Sequence, residues 1–123
     1  MTSIKGTVRS LPNEVHGMHV HEYGDIRDRK KGMAAGGHYN PRNVSHGLPG
    51  ERVLHEGDLG NIRANSKRVA KVDKKSRVAR TYLIVGRGLI VHELNDKGTQ
   101  PTGGSGARLA QCVLGIKNPD YEN

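Results

Sequence analysis

No apolar run in this sequence exceeds four residues, the longest being Tyr82-Leu-Ile-Val85 and Leu89-Ile-Val91. A bilayer-spanning helix needs about 20 predominantly apolar residues, so no such helix and no membrane partner is expected. The short β-branched runs are separated by 17 glycines and 5 prolines, which argues for an all-β chain of short strands joined by turns and loops. A length of 123 residues suits one domain, expected over residues 1–117 with a polar tail over 118–123. Phe and Trp are absent and the net charge is +8, so the core must be thin and something besides burial must help hold it. Tyr23, Tyr39, Tyr82 and Tyr121 are the only large aromatic residues, too few for a stacking platform for single-stranded nucleic acid. One cysteine, Cys112, cannot make an internal disulfide and suits a reducing compartment. Residues Met1 to Gly6 lack the apolar stretch of a secretory signal; the expected location is cytoplasmic, or the chain is already processed.

Strands are expected over Thr2 to Ser10, Val15 to Glu22, Leu59 to Ala64, Val69 to Asp73, Val78 to Val85, Leu89 to Glu93 and Arg108 to Ile116. Asp73-Lys74-Lys75-Ser76 reads as a hairpin turn. In the second strand, alternation puts Met18 and Val20 on one face and His19 and His21 on the other. Between Gly24 and Leu59 lies a long Gly-rich polar stretch without periodicity. A loop that long inside one domain is normally functional or disordered. Asn95 to Ala107 is a second Gly-rich loop.

Seven histidines are the surplus in this composition. An i, i+2 pair on a strand, such as His19 and His21, sets two imidazoles about 6 to 7 Å apart on one face. That is a pincer for one transition-metal ion, or two polar residues on a solvated face. His38, His46, His55 and Asp58 lie in or at the edge of the long loop, and three imidazoles with one carboxylate make a closed tetrahedral set for a zinc-type ion. Such a site would order a loop with little apolar material. His92 follows an apolar run and can project from a strand end toward the first pair. His16, near the turn before its strand, reads as structural.

The motifs His16-Gly-Met-His-Val-His-Glu-Tyr-Gly-Asp25, Gly37-His-Tyr-Asn-Pro41, His46-Gly47, His55-Glu-Gly-Asp-Leu-Gly-Asn61, Gly86-Arg87 with Val91-His-Glu93, and Gly106-Ala-Arg-Leu-Ala110 with Gly115-Ile116 resemble, in order, the signatures of copper/zinc superoxide dismutases. The resemblance implies a Greek-key β-barrel or sandwich with long metal-binding loops. It implies copper ligation by His19, His21, His38 and His92, and zinc ligation by His38, His46, His55 and Asp58, with His38 bridging the two. Arg108 resembles the channel arginine, so Arg108 and His38 are the catalytic candidates. The implied activity converts superoxide to dioxygen and hydrogen peroxide, and a second copy of the chain and a copper chaperone are the implied partners.

Several features depart from that family. A hairpin of two strands that precedes the Thr2 to Ser10 strand in the family has no residues here, an expected exposure of sheet edges. The family disulfide is missing: its halves fall near Gly32-Met33 and at Gln111, with Cys112 at a neighbouring position. The aspartate that links copper and zinc ligands falls at Asn95, with Asp96 adjacent as a substitute. These losses support an alternative, a catalytically impaired metal-binding or interaction protein. A weaker third reading takes the basic residues Arg27, Arg29, Lys30 and Lys31, with those between Lys67 and Arg80, as a contact for nucleic acid or an acidic polymer.

Overall fold

A computed structural model describes residues 1–121, and all six of its strands pair antiparallel. They are β1 (Thr2–Arg9), β2 (Val15–His21), β3 (Asp58–Arg63), β4 (Val69–Ser76), β5 (Gly88–His92) and β6 (Arg108–Val113). One sheet runs β3-β2-β5-β6 and the other contains β1 and β4. Among the described residues the two sheets do not close into a continuous barrel. Alternating side chains from both face inward: Met18 and Val20 from β2, Leu59 and Ile62 from β3, Ala70 and Val72 from β4 and Val91 from β5 form one buried cluster. Leu11 and Ile84 close it from the connections, and Ile4 and Val8 of β1 pack against it.

The strand expectations hold with shifted ends, and two are corrected. Val78 to Val85 does not form a strand; it holds a short helix, α1 (Thr81–Ile84). The Ser76 Oγ accepts the backbone N–H groups of Val78 and Ala79, turning the chain out of β4. The Arg80 carbonyl then accepts the N–H groups of Leu83 and Ile84, and Ile84 is buried. Asp73 to Ser76 is not a turn, because β4 continues through it, with Ser76 opposite Thr2 and Asp73 opposite Lys5.

β2 is buried almost throughout, imidazoles included, so the solvated-face reading of His19 and His21 does not apply. Its cover is the 24–57 loop, fastened to the strand by main-chain bonds: Tyr39 N–H to the Val20 carbonyl, Val20 N–H to the Gly57 carbonyl and Gly57 N–H to the Tyr39 carbonyl. A Cβ at Gly57 would run into the Val20 carbonyl, so only glycine permits this three-way junction. Lys117 to Tyr121 is exposed and carries no helix or strand, while residues 122 and 123 of the expected tail lie outside the described residues.

Candidate metal centre

Two register breaks place the inward imidazoles. Between Gly17 and His19 the β2–β3 ladder shifts and sets His19 opposite Asp58. Between Val91 and His92 the β5–β6 ladder shifts and sets His92 opposite Arg108. Bulges of this kind re-aim side chains at strand ends. An isolated bridge pairs His21 with His38 and brings the loop histidine to β2. The result is two overlapping groups whose ligand atoms lie within 4.8 Å of one another: His19, His21, His38 and His92, and His19, His38, His46 and Asp58. His55 joins the second, its Nδ1 lying 3.2 Å from His38 Nδ1 and 3.3 Å from Asp58 Oδ1.

Hydrogen bonds fix which nitrogen of each ring carries a proton. Asp96 accepts from His19 Nε2 at 2.8 Å through one oxygen and from His46 Nε2 at 2.8 Å through the other. Both rings therefore turn a bare Nδ1 inward, and both Nδ1 atoms are buried without a hydrogen-bond partner. His21 Nδ1 donates to the Gly36 carbonyl at 2.8 Å and His92 Nδ1 to the Gly106 carbonyl at 3.2 Å. Their Nε2 lone pairs consequently face each other at 3.4 Å. On the other side, His46 Nδ1 stands 3.0 Å from one Asp58 oxygen, and His38 Nδ1 stands 3.2 Å from the other.

Acceptors facing acceptors at these distances repel unless a cation lies between them, and imidazoles with one carboxylate are the donors transition metals take. The residues present thus fit two metal ions. Titration favours the same state. Burial pushes the His21 imidazolium down to about 2, with His38, Arg108 and His92 adding to it, and pushes His92 down to about 4. Burial also lowers His19, outweighing Asp96. Burial works to raise Asp58, but the Gly47 and His55 amides, both donating to its Oδ2, help hold it below its ordinary value. Neutral rings and an ionised carboxylate are the ligand forms that metals need.

The linking carboxylate is that of Asp96. Asn95 is exposed and its carbonyl accepts from Lys97 Nζ, so of the two candidate positions it is Asp96, the adjacent substitute, whose carboxylate reaches both rings. Burial raises the Asp96 carboxyl, while the hydrogen bonds from His19, His46 and the Gly98 amide outweigh it and hold the group ionised. Two amide side chains brace this bridge. Asn61 Oδ1 accepts the Asp96 N–H and Asn61 Nδ2 donates to the Asp96 carbonyl. Gln100 does the same for His46, at 2.9 and 2.7 Å. Gln100 was invisible in the sequence, lying in a loop without periodicity. His16 is fully buried in β2, with Nδ1 2.8 Å from the His92 carbonyl and Nε2 2.9 Å from the Pro12 carbonyl.

A cavity of about 460 Å³ opens on the first group, lined by His21, His38, His92, Arg108, Lys30 and Lys31 among others. Arg108 donates to the Gly32 carbonyl at 2.9 Å, which fixes the guanidinium against the loop that carries both lysines. Gln111 fastens the same loop, its Nε2 donating to the Ile26 carbonyl at 3.2 Å and the Asp28 carbonyl at 3.1 Å. Cys112 is free and exposed.

The sequence matches the copper/zinc superoxide dismutase family (SODC) over residues 1–114. It is 39% identical over 124 residues to the extracellular Cu-Zn superoxide dismutase of Drosophila melanogaster, covering 93% of this chain and 67% of that protein. The extracellular Cu-Zn superoxide dismutase of Onchocerca volvulus is 40% identical over 129 residues, covering 94% and 63%. The human copper chaperone for superoxide dismutase is 39% identical over 127 residues, covering 98% of this chain and 46% of that protein. The chain spans about half to two thirds of the length of these curated relatives. Paired imidazole groups sharing His38, in a two-sheet antiparallel fold that the family pattern matches almost end to end, make this chain a member of the copper/zinc superoxide dismutase family.

Proposed function

We propose that the chain is a superoxide dismutase holding copper at His19, His21, His38 and His92 and zinc at His38, His46, His55 and Asp58. The direction of the lone pairs carries this reading: ring N–H groups point outward to Asp96, Gly36 and Gly106, and bare nitrogens point inward. Bound copper supplies the one-electron chemistry that turns two superoxide anions into dioxygen and hydrogen peroxide, and bound zinc supplies a fixed positive charge. His38 reaches both groups, with Nδ1 toward Asp58 and His55. Its Nε2, on the side of His21 and His92, takes a proton in one half of the cycle and gives it to the departing peroxide in the other. Arg108, at the cavity wall beside those rings, attracts the anion and orients it. Lys30 and Lys31 extend that positive field to the opening.

Metal analysis and a dismutation assay on one purified sample test the proposal. Loaded protein should hold about one copper and one zinc per chain and dismute superoxide, and His38→Ala should abolish activity and uncouple the metals. Correctly loaded protein without activity would sink the enzyme reading. The human copper chaperone relative, which covers almost the whole chain, favours a second reading, a catalytically impaired metal-binding or interaction protein. That protein would hold metal in the same experiment and leave superoxide untouched. A second copy of the chain and a copper chaperone are the partners we propose. We propose the cytoplasm as its compartment because of the lone thiol, although two of the relatives above are named extracellular.

A further inference from the structure

A second cavity, of about 500 Å³, lies between the 49–59 segment and the end of β4, and no imidazole lines it. Its apolar wall includes Leu54 and Leu59, both buried. Its charge comes from Arg52, Lys74, Lys75 and Arg77, against two carboxylates, Glu51 and Asp58, the second of which belongs to the metal group on its other side. Lys74 has an unusual place. β4 buries Ala70, Val72 and Ser76 and exposes Lys71, Asp73 and Lys75, so alternation puts Lys74 on the inward row, where it is half-buried. Among the described residues, no ion pair engages Lys74, Lys75, Arg52 or Arg77. Burial alone pushes the Lys74 ammonium below its ordinary value, with no neighbouring charge opposing the shift. An inward cation without an ion-pair partner is costly unless something anionic meets it.

We propose that this cavity binds an organic acid with an apolar body, its carboxylate paired with Lys74 and its body against Leu54 and Leu59. The volume falls in the range of small-molecule sites, which combine apolar walls with a few polar groups that fix orientation. Lys75 and Arg77 add field at the rim and favour anions over neutral analogues. A purely ionic ligand would leave the leucine wall unused.

Calorimetric titration of the metal-loaded chain with octanoate, octanamide and inorganic phosphate tests this. Octanoate should saturate one site per chain, while octanamide and phosphate each bind about tenfold more weakly or worse. Lys74→Gln should weaken octanoate about tenfold, and Lys74→Arg should retain it, with circular dichroism showing both variants folded. Failure of octanoate to saturate, equal binding of octanoate and octanamide, phosphate as tight as octanoate, or unchanged affinity in Lys74→Gln would each overturn the proposal. If Lys74→Gln does not fold, the octanamide arm and Lys74→Arg decide.

Discussion

Asp96 meets His19 at 2.8 Å across 77 residues of sequence, and its other oxygen meets His46 at the same distance. One carboxylate thus sets the tautomer of a ring in each metal group. Replacing it with an amide, Asp96→Asn, keeps the shape but removes the charge and leaves one ring facing an N–H donor. Metal affinity should fall roughly 10- to 100-fold, zinc included, as read by competition with a chelator. Unchanged affinity would mean that the bridge orients nothing.

Gly103 has a left-handed φ of 89°, and a Cβ there would enter the space of the Asp96 carboxylate. Gly103→Ala should therefore act on the metals through Asp96 as well as on stability through backbone strain of about 1 to 3 kcal/mol. A lower melting temperature with intact zinc affinity would separate the two effects and refute the first.

Gln111 ties β6 to the loop at Ile26 and Asp28, close to where Arg108 grips Gly32. Gln111→Leu removes two hydrogen bonds to main-chain carbonyls, each worth about 1 kcal/mol. The loop should be cut by trypsin faster at Arg27, Arg29, Lys30 and Lys31, and a cleavage rate equal to wild type would show that Arg108 alone suffices.

Lys30 and Lys31 line the opening of the 460 Å³ cavity. Replacing both with glutamate should lower kcat/KM several-fold at low ionic strength and leave a flatter or reversed salt dependence. If the proposed dismutase reading holds, Arg108→Ala should lower kcat/KM at every salt concentration, because its guanidinium lines the cavity beside His21 and His92. An unaltered salt profile in the double variant would exclude a steering role for the loop.

The histidine positions and the sheet class were legible because a strand repeats every two residues and metal ligands come in recognisable spacings. α1 was not, since Leu83, Ile84 and Val85 carry strand propensity locally, and only the Ser76 turn and the burial of Ile84 decide otherwise. The charged stretch Asp73 to Ser76 looked like a turn because its pairing partner, Thr2 to Lys5, is about 70 residues away. Choosing between Asn95 and Asp96 required the loop's path, which no periodicity encodes. Gln111 stands where the family disulfide would have a cysteine, and its amide reaches the loop only in three dimensions.

The two register breaks that aim His19 and His92 make substitution and length change unequal insults to this protein. Side chains along β2 and β5 can vary in size within what the core tolerates, and the imidazoles still arrive on the same side. Deleting or inserting one residue beside either break would invert the facing of everything between it and the strand end. A single codon gained or lost there would turn His19 or His92 out to solvent, a lesion that no compensating point mutation elsewhere in the strand could repair.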